Sequence, residues 1–544
     1  MRITLAVVAL NATLGRSTLL ENGYATSVLP ISCENRQGYF SQVNGGPIEV
    51  LKGSQILTVA AGHKVAVAIC NVGNKQYDSD TQLFDGGLVK GVVQGVGEGA
   101  HLRVDIVNSG NIQLNNASLA IGEQISSSPL RIIGQVVTGI VANDVRVSVN
   151  VAQSANIVMY GDRNIDISRG SLLGDVINGD KTHISQNSIL QVTVTDSCNI
   201  VNGATLGELH ILDGQLDDQG LDFPVSSSFI FVNKTNASNV HMGKVYIEQG
   251  ELSDESFHTP LHLQWTGVTI NARGSSNVEA NSLHLTNSEL IDEAFQAYEA
   301  DVFLLRLDLE DCGNAHIAEH SFFNESKLVD QSLVVHYFLF SDRYIDMKNT
   351  GNIFGKQIHM LRSKLVDEHI DAFNLFYALM RISVSNIANV QAEALFITDG
   401  ELLDEGIHWN EIEHSLLDQN IINGANVQAP KLEIHDGQLL DATMYINKSK
   451  SLTLTVEIDR CATHDGRRIN SSELHIQRGQ LLTAIIEMPL CQNPCSVTVK
   501  NTSNSHNNHV TLGVNATLLN SSDAPNVRFV NSGNCTGDVS CTSI

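Results

Sequence analysis

Aspartates with one repeated spacing are the first feature of this 544-residue chain that could do chemistry. They close an L-φ-D motif, where φ is apolar, and from Asp218 to Asp441 neighbouring members lie 36 to 38 residues apart. Carboxylates in one file could hold calcium, or they could splay into solvent and bond to turn amides. The solvent interpretation is favoured, because no EF-hand loop or glycine-rich calcium repeat is present. The candidate metal ligands are Asp254, Asp292, Asp330, Asp367, Asp404 and Asp441.

Ring side chains recur with the same period in an L-x-φ segment. Because the residues on either side are apolar and face inward, the middle residue of a strand should face outward. Stacked rings would stabilise neighbouring strands, and the same exposed strip could bind sugars or a partner surface. A histidine metal array is disfavoured, because histidines do not occupy every successive unit. The predicted ligand-facing strip is His210, Tyr246, His284, Phe322, His359, Phe396 and His475, with Glu433 interrupting it.

Catalytic motifs are missing from the sequence. It contains no G-x-S-x-G elbow, no H-E-x-x-H zinc helix and no phosphate-binding P-loop. Glycosidases need two carboxylates across one bond, and Asp217–Asp218 is the one adjacent aspartate pair. The units are too uniform to single out one active rung. No catalytic or cofactor-binding residue is therefore predicted, calcium is the one cofactor left open, and a non-enzymatic role is favoured.

An asparagine opens each repeat unit, in the pattern N-V-x-A-x-x-L-x-φ-x-x-[GS]-x-L-φ-D. This second marker keeps the period of the aspartates, with spacings of 45, 43, 40, 38, 37, 38, 37 and 37 from Asn111 to Asn426. Stacked units would place these amides in a hydrogen-bonded ladder at a turn. The predicted structural ladder comprises Asn239, Asn277, Asn314, Asn352, Asn389 and Asn426, preceded by Asn111, Asn156 and Asn199.

The elements that must position these files are β-strands. Apolar residues alternate with period two, Gly, Asn and Ser mark turns, and no unit shows helical periodicity. A single unit cannot bury its apolar face, but stacked units share a core. The fold class is therefore all-β, a parallel β-helix or a less regular β-solenoid, with about nine rungs of about 37 residues and capped ends. We assign 26–100 to an N-terminal β cap, 101–490 to the solenoid and 491–544 to a C-terminal cysteine-containing β cap.

The nine cysteines indicate disulfides in an oxidising compartment. Cys491, Cys495, Cys535 and Cys541 cluster near the C-terminus and are the first disulfide candidates. A further candidate bridge joins Cys33 to Cys70. Cys198, Cys312 and Cys461 stand singly in the repeats and are expected to be core residues.

Charge and the N-terminal segment bear on partners and location. The formal charge is −26 and no basic stretch is visible, so nucleic-acid binding, which needs a basic face, is disfavoured. No segment is apolar for long enough to span a membrane as a helix. Residues 1–25 resemble a signal peptide, with a first β-strand as the alternative, and 11 N-x-[ST] sequons suit a secretory route. We expect a secreted or cell-surface protein.

In repeat style, low aromatic content and acidity, residues 101–490 resemble the β-helical stalks of filamentous-haemagglutinin-like adhesins and autotransporter passengers. The resemblance concerns architecture and transfers no functional residue. It implies an exported surface or extracellular-matrix protein with a structural or adhesive role, presenting a rigid rod to a glycan or a protein surface. Self-association is also left open. The alternative is a β-helical polysaccharide-degrading lyase or glycoside hydrolase.

Overall fold

The structure is a computed structural model, and its described part lies between residues 28 and 543. Within that span it omits 53–54, 84–87, 123–129, 134–135, 138–139, 170, 174–176, 179–182, 185–187, 203–206, 218–220, 223–228, 256–257, 260–265, 294–295, 301–302, 373–374, 414, 451–452, 460–468, 471–472, 478–479, 502–508, 523–525, 530–533 and 536–540. From residue 441 onward, only the backbone is described. The predicted signal peptide lies outside the described residues.

The described chain is all-β, and its coils stack in parallel to form a β-solenoid, so the predicted fold class is confirmed. Each coil has three groups of strands, which we call A, B and C in chain order. The first corner joins A to B and contains the repeated asparagine, and the second corner joins B to C. Each strand pairs with the equivalent strand of the next coil, as Phe229–Thr235 does with Thr266–Arg273.

The A strands precede the asparagine and show the clearest alternation. In Ile189–Thr195, every second side chain is buried, as period-two patterning requires. The A strands are Lys64–Cys70, His101–Val107, Arg146–Ala152, Ile189–Thr195, Phe229–Thr235, Thr266–Arg273, Phe303–Glu310, the last part of Lys327–Lys348, the first parts of Leu375–Thr398 and Leu416–Gln428, Thr453–Asp459 and the last part of Gln480–Asn501.

The B strands follow the asparagine and bend midway, at an elbow. Register shifts mark this elbow between Ala280 and Ser282 and between Ile317 and His320. The B strands are Lys75–Tyr77, Asp80–Leu83, Ile112–Asn115, Ala117–Gly122, Ile157–Tyr160, Asn164–Ser168, Ile200–Asn202, Glu208–Leu212, Val240–Glu248, Val278–Thr286, Ala315–Asn324, Ile353–Leu361, the last part of Leu375–Thr398, Lys431–His435, Ile469–Asn470 and Glu473–Gln477.

The C strands begin after the second corner and carry the repeated aspartate. They are Leu130–Arg131, Ser171–Leu173, Ile177–Asn178, Gln215–Asp217, Leu221–Asp222, Glu251–Glu255, His258–Thr259, Glu289–Glu293, Gln296–Ala300, the first part of Lys327–Lys348, Lys364–Ala372, Glu401–Glu413, Gln438–Lys450 and the first part of Gln480–Asn501. A small parallel sheet contains Leu57–Val59, Val93–Val96, Ile140–Val141 and His183–Ile184. The last strands are His509–Ser522, Asn526–Phe529, Asn534–Cys535 and Cys541–Ser543.

One continuous aliphatic core runs along the described coils. It extends from Val59 to Leu439, and nearly all of its members are Val, Ile, Leu, Ala or Met. Burying each Val, Ile or Leu contributes about 1.5–3 kcal/mol, so every added coil lengthens the core at a similar gain. The low aromatic content suits these thin, regular layers.

The two ends of the described stack differ from its middle. Gly38–Val43 pairs antiparallel with Ile48–Leu51 and with Lys64–Cys70, so an N-terminal hairpin covers the edge of the first A strand. The number of described coils differs slightly from the predicted nine. Parallel stacking includes Lys64–Cys70 ahead of the first counted asparagine and Thr453–Asp459 after the last one. In the part of the chain described here, no helix is long and apolar enough to cross a membrane.

Candidate functional site

The asparagines of the first corner form one hydrogen-bonded file. The Oδ1 atom of Asn314 accepts hydrogen bonds from the backbone N–H of Asn352, at 3.1 Å, and from its Nδ2, at 2.9 Å. Asn352 Oδ1 accepts the same pair from Asn389, at 3.1 and 2.8 Å. Asn389 pairs with Asn426 in the backbone register, although the Asn426 side chain is not described. The file holds the corners together.

The same chain of bonds runs through Asn239, Asn277 and Asn314. It also begins one coil earlier than the sequence pattern indicated, because the Asn111 N–H donates to Asn74 Oδ1 at 2.9 Å. Asn74 lies 37 residues before Asn111, so the period itself could have identified it.

The ring strip lies on the outer face of the B strands, in register from coil to coil. The ring centroids of Tyr246 and His284 are 4.9 Å apart with an interplanar angle of 14°, and those of His359 and Phe396 are 4.5 Å apart at 10°. His210 lies 5.0 Å from Tyr246 and is tilted by 35°. Phe322 is in register between His284 and His359. Of His475, the structure describes the backbone, which pairs with Glu433.

Parallel stacking limits what this strip can bind. The stacked rings cover one another's faces and direct their edges to solvent, whereas a sugar would need an open ring face. Burial lowers the pKa of His284 and His359, and the nearby His320 lowers both further. These imidazoles are therefore neutral at neutral pH. The contacts favour a role in holding neighbouring strands together.

The repeated aspartates lie inside the solenoid. The side chains of Asp292, Asp330, Asp367 and Asp404 are all 0% exposed. The expectation that they splay into solvent is therefore wrong for these four. Each aspartate lies in a C strand two residues after a buried leucine, so the strand directs both side chains inward. Asp254 and Asp441 continue the file in the backbone register, without a described side chain. Among the described residues, no group of three or more His, Cys, Asp or Glu is arranged to hold a metal, and we assign none of the four as a metal ligand.

A long polar groove follows the second corners, and we call it the corner groove. Its volume is about 1150 Å³, and it passes eight successive corners, from Arg169 to Asp436. At about 4.8 Å per coil, it is about 34 Å long. Gly and Ser form its floor, where a Cβ on Gly400 would lie 2.9 Å from the Ser363 carbonyl oxygen. The small floor residues create the concavity.

Charged and amide side chains form the two walls of the corner groove. The corner residues on one wall have a left-handed backbone, with φ of 48° at Asn287 and 52° at Glu325. The opposite wall is formed by the first residues of the C strands. Acidic side chains in the groove outnumber basic ones by seven to four. The lining includes Arg169, Asp213, Glu251, Glu289, Glu325, Lys327, Arg362, Lys364, Asp399, Glu401 and Asp436.

Ion pairs link neighbouring coils along the groove. Lys327 Nζ lies 2.8 Å from Glu289 Oε1, and Arg362 Nη2 lies 2.7 Å from Glu325 Oε1. Glu251 lies beside Glu289 in the register, and burial, together with the charge of Glu289, raises the pKa of Glu251. Donors and acceptors therefore alternate along the groove, as where Arg362 and Lys364 of one coil are followed by Asp399 and Glu401 of the next.

Two smaller grooves lie near the first corner, one after it and one along it. One follows the elbow, has a volume of about 930 Å³ and is lined in part by the stacked pair His316 and Phe354, whose centroids are 4.5 Å apart. The other, of about 490 Å³, lies along the asparagine file. The elbow groove and the corner groove lie on opposite sides of the ring strip.

Sequence reasoning did not identify the corner groove. The signal is present in eight successive units, from Arg169 to Gln438, where a small residue at the second corner lies between two polar positions. The pattern by itself indicates a turn, since the sequence does not show that turns of successive coils align into one trough.

The nine cysteines divide into four groups. Cys33 and Cys70 form a disulfide, with Cα atoms 5.3 Å apart. Cys198 and Cys312 are buried thiols outside any disulfide, as expected of core residues, and burial raises the pKa of Cys312 to about 12. Cys461 lies outside the described residues. Cys491, Cys495, Cys535 and Cys541 lie in described strands without described side chains, so their disulfides stay a prediction.

Comparison of the chain with protein-family models, with curated proteins and with solved structures gives no match.

Proposed function

We propose that this chain is an exported structural or adhesive rod whose corner groove binds an extended polysaccharide. The observation that carries the proposal is the groove itself, which places polar or charged side chains at eight successive corners over about 34 Å. A linear polymer lying along the rod would meet charged, amide or hydroxyl groups at each corner. Polyhydroxylated chains suit such walls, because carboxylates, amides, ammonium and guanidinium groups all bond to hydroxyls.

Charge narrows the class of polysaccharide. The chain carries a formal charge of −26, and acidic groups also predominate in the groove. A sulfated or uronate-rich polymer would be repelled, whereas a neutral or amine-bearing one would not. We therefore propose a neutral or amino-sugar polymer as the partner. The architectural resemblance to β-helical adhesins supports a location in the matrix or at the cell surface.

A glycan array with and without calcium, followed by co-sedimentation with the polymers that bind, tests the proposal. In the Glu289→Ala/Lys327→Ala variant, an ion pair of the groove is removed without a change in net charge. We expect roughly tenfold weaker binding, since hydrogen bonds to charged groups contribute about 1.5–3 kcal/mol.

The matched control is Glu310→Ala/Lys348→Ala, an ion pair of 2.9 Å at the ends of the A strands. It should bind as the unmodified chain does. Equal losses in the two variants, binding confined to proteins, or a preference for sulfated polymers would each contradict the proposal.

A polysaccharide-degrading enzyme is the second candidate, and one observation favours it. Glu251, with its raised pKa, lies in the groove beside Glu289, which forms an ion pair with Lys327. Glycoside hydrolases use one protonated and one ionised carboxyl group on either side of the scissile bond. A turnover assay on each polymer that binds tests this candidate: product that disappears in Glu251→Gln and in Glu289→Gln would favour it, and binding without product would exclude it.

A further inference from the structure

The four buried aspartates form a file that the proposed function does not use. Asp292, Asp330, Asp367 and Asp404 are direct partners in the register of neighbouring C strands. All four side chains are 0% exposed. Neighbouring strands lie about 4.8 Å apart, so each carboxyl group has another carboxyl group one coil above or below it.

Four ionised carboxylates cannot be stable in this position. Burial disfavours each charge, and a like charge on the next coil disfavours it further. Asp330 shows the environment in detail. Its Oδ2 accepts a hydrogen bond from the Ala315 N–H at 3.2 Å, and within the described residues its Oδ1 has no hydrogen-bond partner. Burial raises the pKa of Asp330 well above the ordinary range.

Neutral carboxyl groups would not repel one another and could form hydrogen bonds along the file, as the asparagine side chains do. An amide has a donor and an acceptor, so identical amides can bond in a file. A protonated carboxyl group also has one donor and one acceptor, whereas an ionised one has acceptors only. The aspartate file can therefore become a ladder if it keeps its protons.

Few other ionisable groups are buried in the described coils. Asp371 lies on the same C strand as Asp367, with His408 Nδ1 3.3 Å from its Oδ1, and Asp105 is buried in an early A strand. Among the described residues, Lys234 is the one lysine or arginine that is less than a tenth exposed. Lys234 lies in the A strand that precedes Asn239, one coil before the coil of Asp292. Its Nζ donates a hydrogen bond to Ser238 Oγ at 3.1 Å. The Cys312 thiol is also buried and is neutral at neutral pH. Asp254 and Asp441 extend the file at its two ends.

We propose that the aspartate file retains protons at neutral pH and makes the rod a pH-sensitive element, which acid stabilises and alkali weakens. An aspartic acid in the unfolded chain loses its proton at about pH 3.9. Above that pH the folded chain holds more protons than the unfolded chain, so stability falls as the pH rises towards the pKa of the folded file. The fall is about tenfold in the folding equilibrium constant per pH unit for each carboxyl group that keeps its proton.

Denaturant unfolding of the full chain from about pH 5 to about pH 8 tests the proposal. In Asp330→Asn, a neutral amide replaces one titrating group, so the folding equilibrium constant should fall with pH less steeply than in the unmodified chain. The two slopes should differ by up to about tenfold per pH unit. This variant should also be more stable than the unmodified chain at the alkaline end. The control Asp418→Asn removes an exposed carboxyl group of an A strand and should keep the original slope.

Infrared spectroscopy of the unmodified chain gives a second measurement, which does not depend on a variant that folds. A carboxylic-acid carbonyl band should be present at neutral pH in the folded chain and disappear on unfolding. Two results would overturn the proposal. One is the absence of that band. The other is an Asp330→Asn variant that is less stable at alkaline pH, together with stability that a chelator removes, because both would mean that the file is ionised around a cation.

Discussion

The asparagine file and the aspartate file run along the same coils, but their side chains differ in the hydrogen bonds that they can form. Asn314 and Asn352 are 6% and 4% exposed, and every amide in that part of the file both donates and accepts. Asp330 and Asp367 are equally in register but need protons to do the same. At this scale, the number of donors on a side chain decides whether an identical neighbour stabilises it or repels it.

Replacing Asn352 by alanine should reduce the free energy of unfolding by about 3 kcal/mol, because buried donors left without a partner cost about 1–3 kcal/mol each. The change removes the hydrogen bond from Asn352 Nδ2 to Asn314 and both bonds from Asn389. Chemical denaturation measures the loss. Asn74→Ala, at the exposed end of the file, should cost less than about 1.5 kcal/mol. Equal losses would mean that the file is not cooperative.

At the scale of elements, the first corner depends on two left-handed backbone positions in each coil. They lie three residues and one residue before the asparagine, as at Asn349 and Gly351, with φ of 54° and 61°. The first of these positions is Asn, Asp or Gly in most coils, since these residues adopt that conformation at least cost. Gln153, with φ of 51°, is the exception.

Gln153→Asn should therefore stabilise the rod, by about 1 kcal/mol, because a left-handed backbone costs an ordinary L-residue about 1–2 kcal/mol. Gln153 is exposed, so little packing is lost, and the carbonyl that accepts the Asn111 side-chain bond remains. Thermal unfolding measures the gain. The same substitution at Gln391, an exposed strand residue, should give none. A gain of equal size there would refute the conformational explanation.

At the scale of the molecule, a stack of parallel coils exposes strand edges at its two ends, and open edges invite association. The N-terminal hairpin covers one edge. Val28, Ile31 and Phe40 pack with Ala66 and Ala68 on a face of Lys64–Cys70 that is separate from the main core. The Cys33–Cys70 disulfide links this layer to the first A strand.

Removing that disulfide should loosen the cap while leaving the middle of the rod intact. The bridge closes a loop of 37 residues, so the Cys33→Ser/Cys70→Ser variant should lose about 3–4 kcal/mol in the stability of the cap. Hydrogen exchange should rise in Gly38–Val43 and Lys64–Cys70 and stay unchanged in Ile353–Leu361, whose contacts are several coils away. Uniform loss of protection along the rod would show that the coils unfold together.

Much of this architecture could be predicted from the repeat, and the reason is geometric. A constant period in parallel coils makes equivalent residues partners, so the register of Asn389 with Asn426, and of His359 with Phe396, follows from their spacing. The inward direction of Asp367 did not follow, because the L-φ-D motif also fits a turn at the aspartate. The strand Lys364–Ala372 instead continues through it, so Asp367 shares the buried face of Leu365. The left-handed φ of 48° at Arg362, in the second corner, is likewise not visible in residue type.

The sequence by itself determined the strands, the stacking and the partners in each file, because those depend on alternation and period, which are local and repeated. Only the tertiary structure decided that the aspartates face the core, that the rings cover one another and that the corners align into a groove. Those features depend on the direction of side chains at the corners and on the distance between coils, which exist only once each lap has packed against the next.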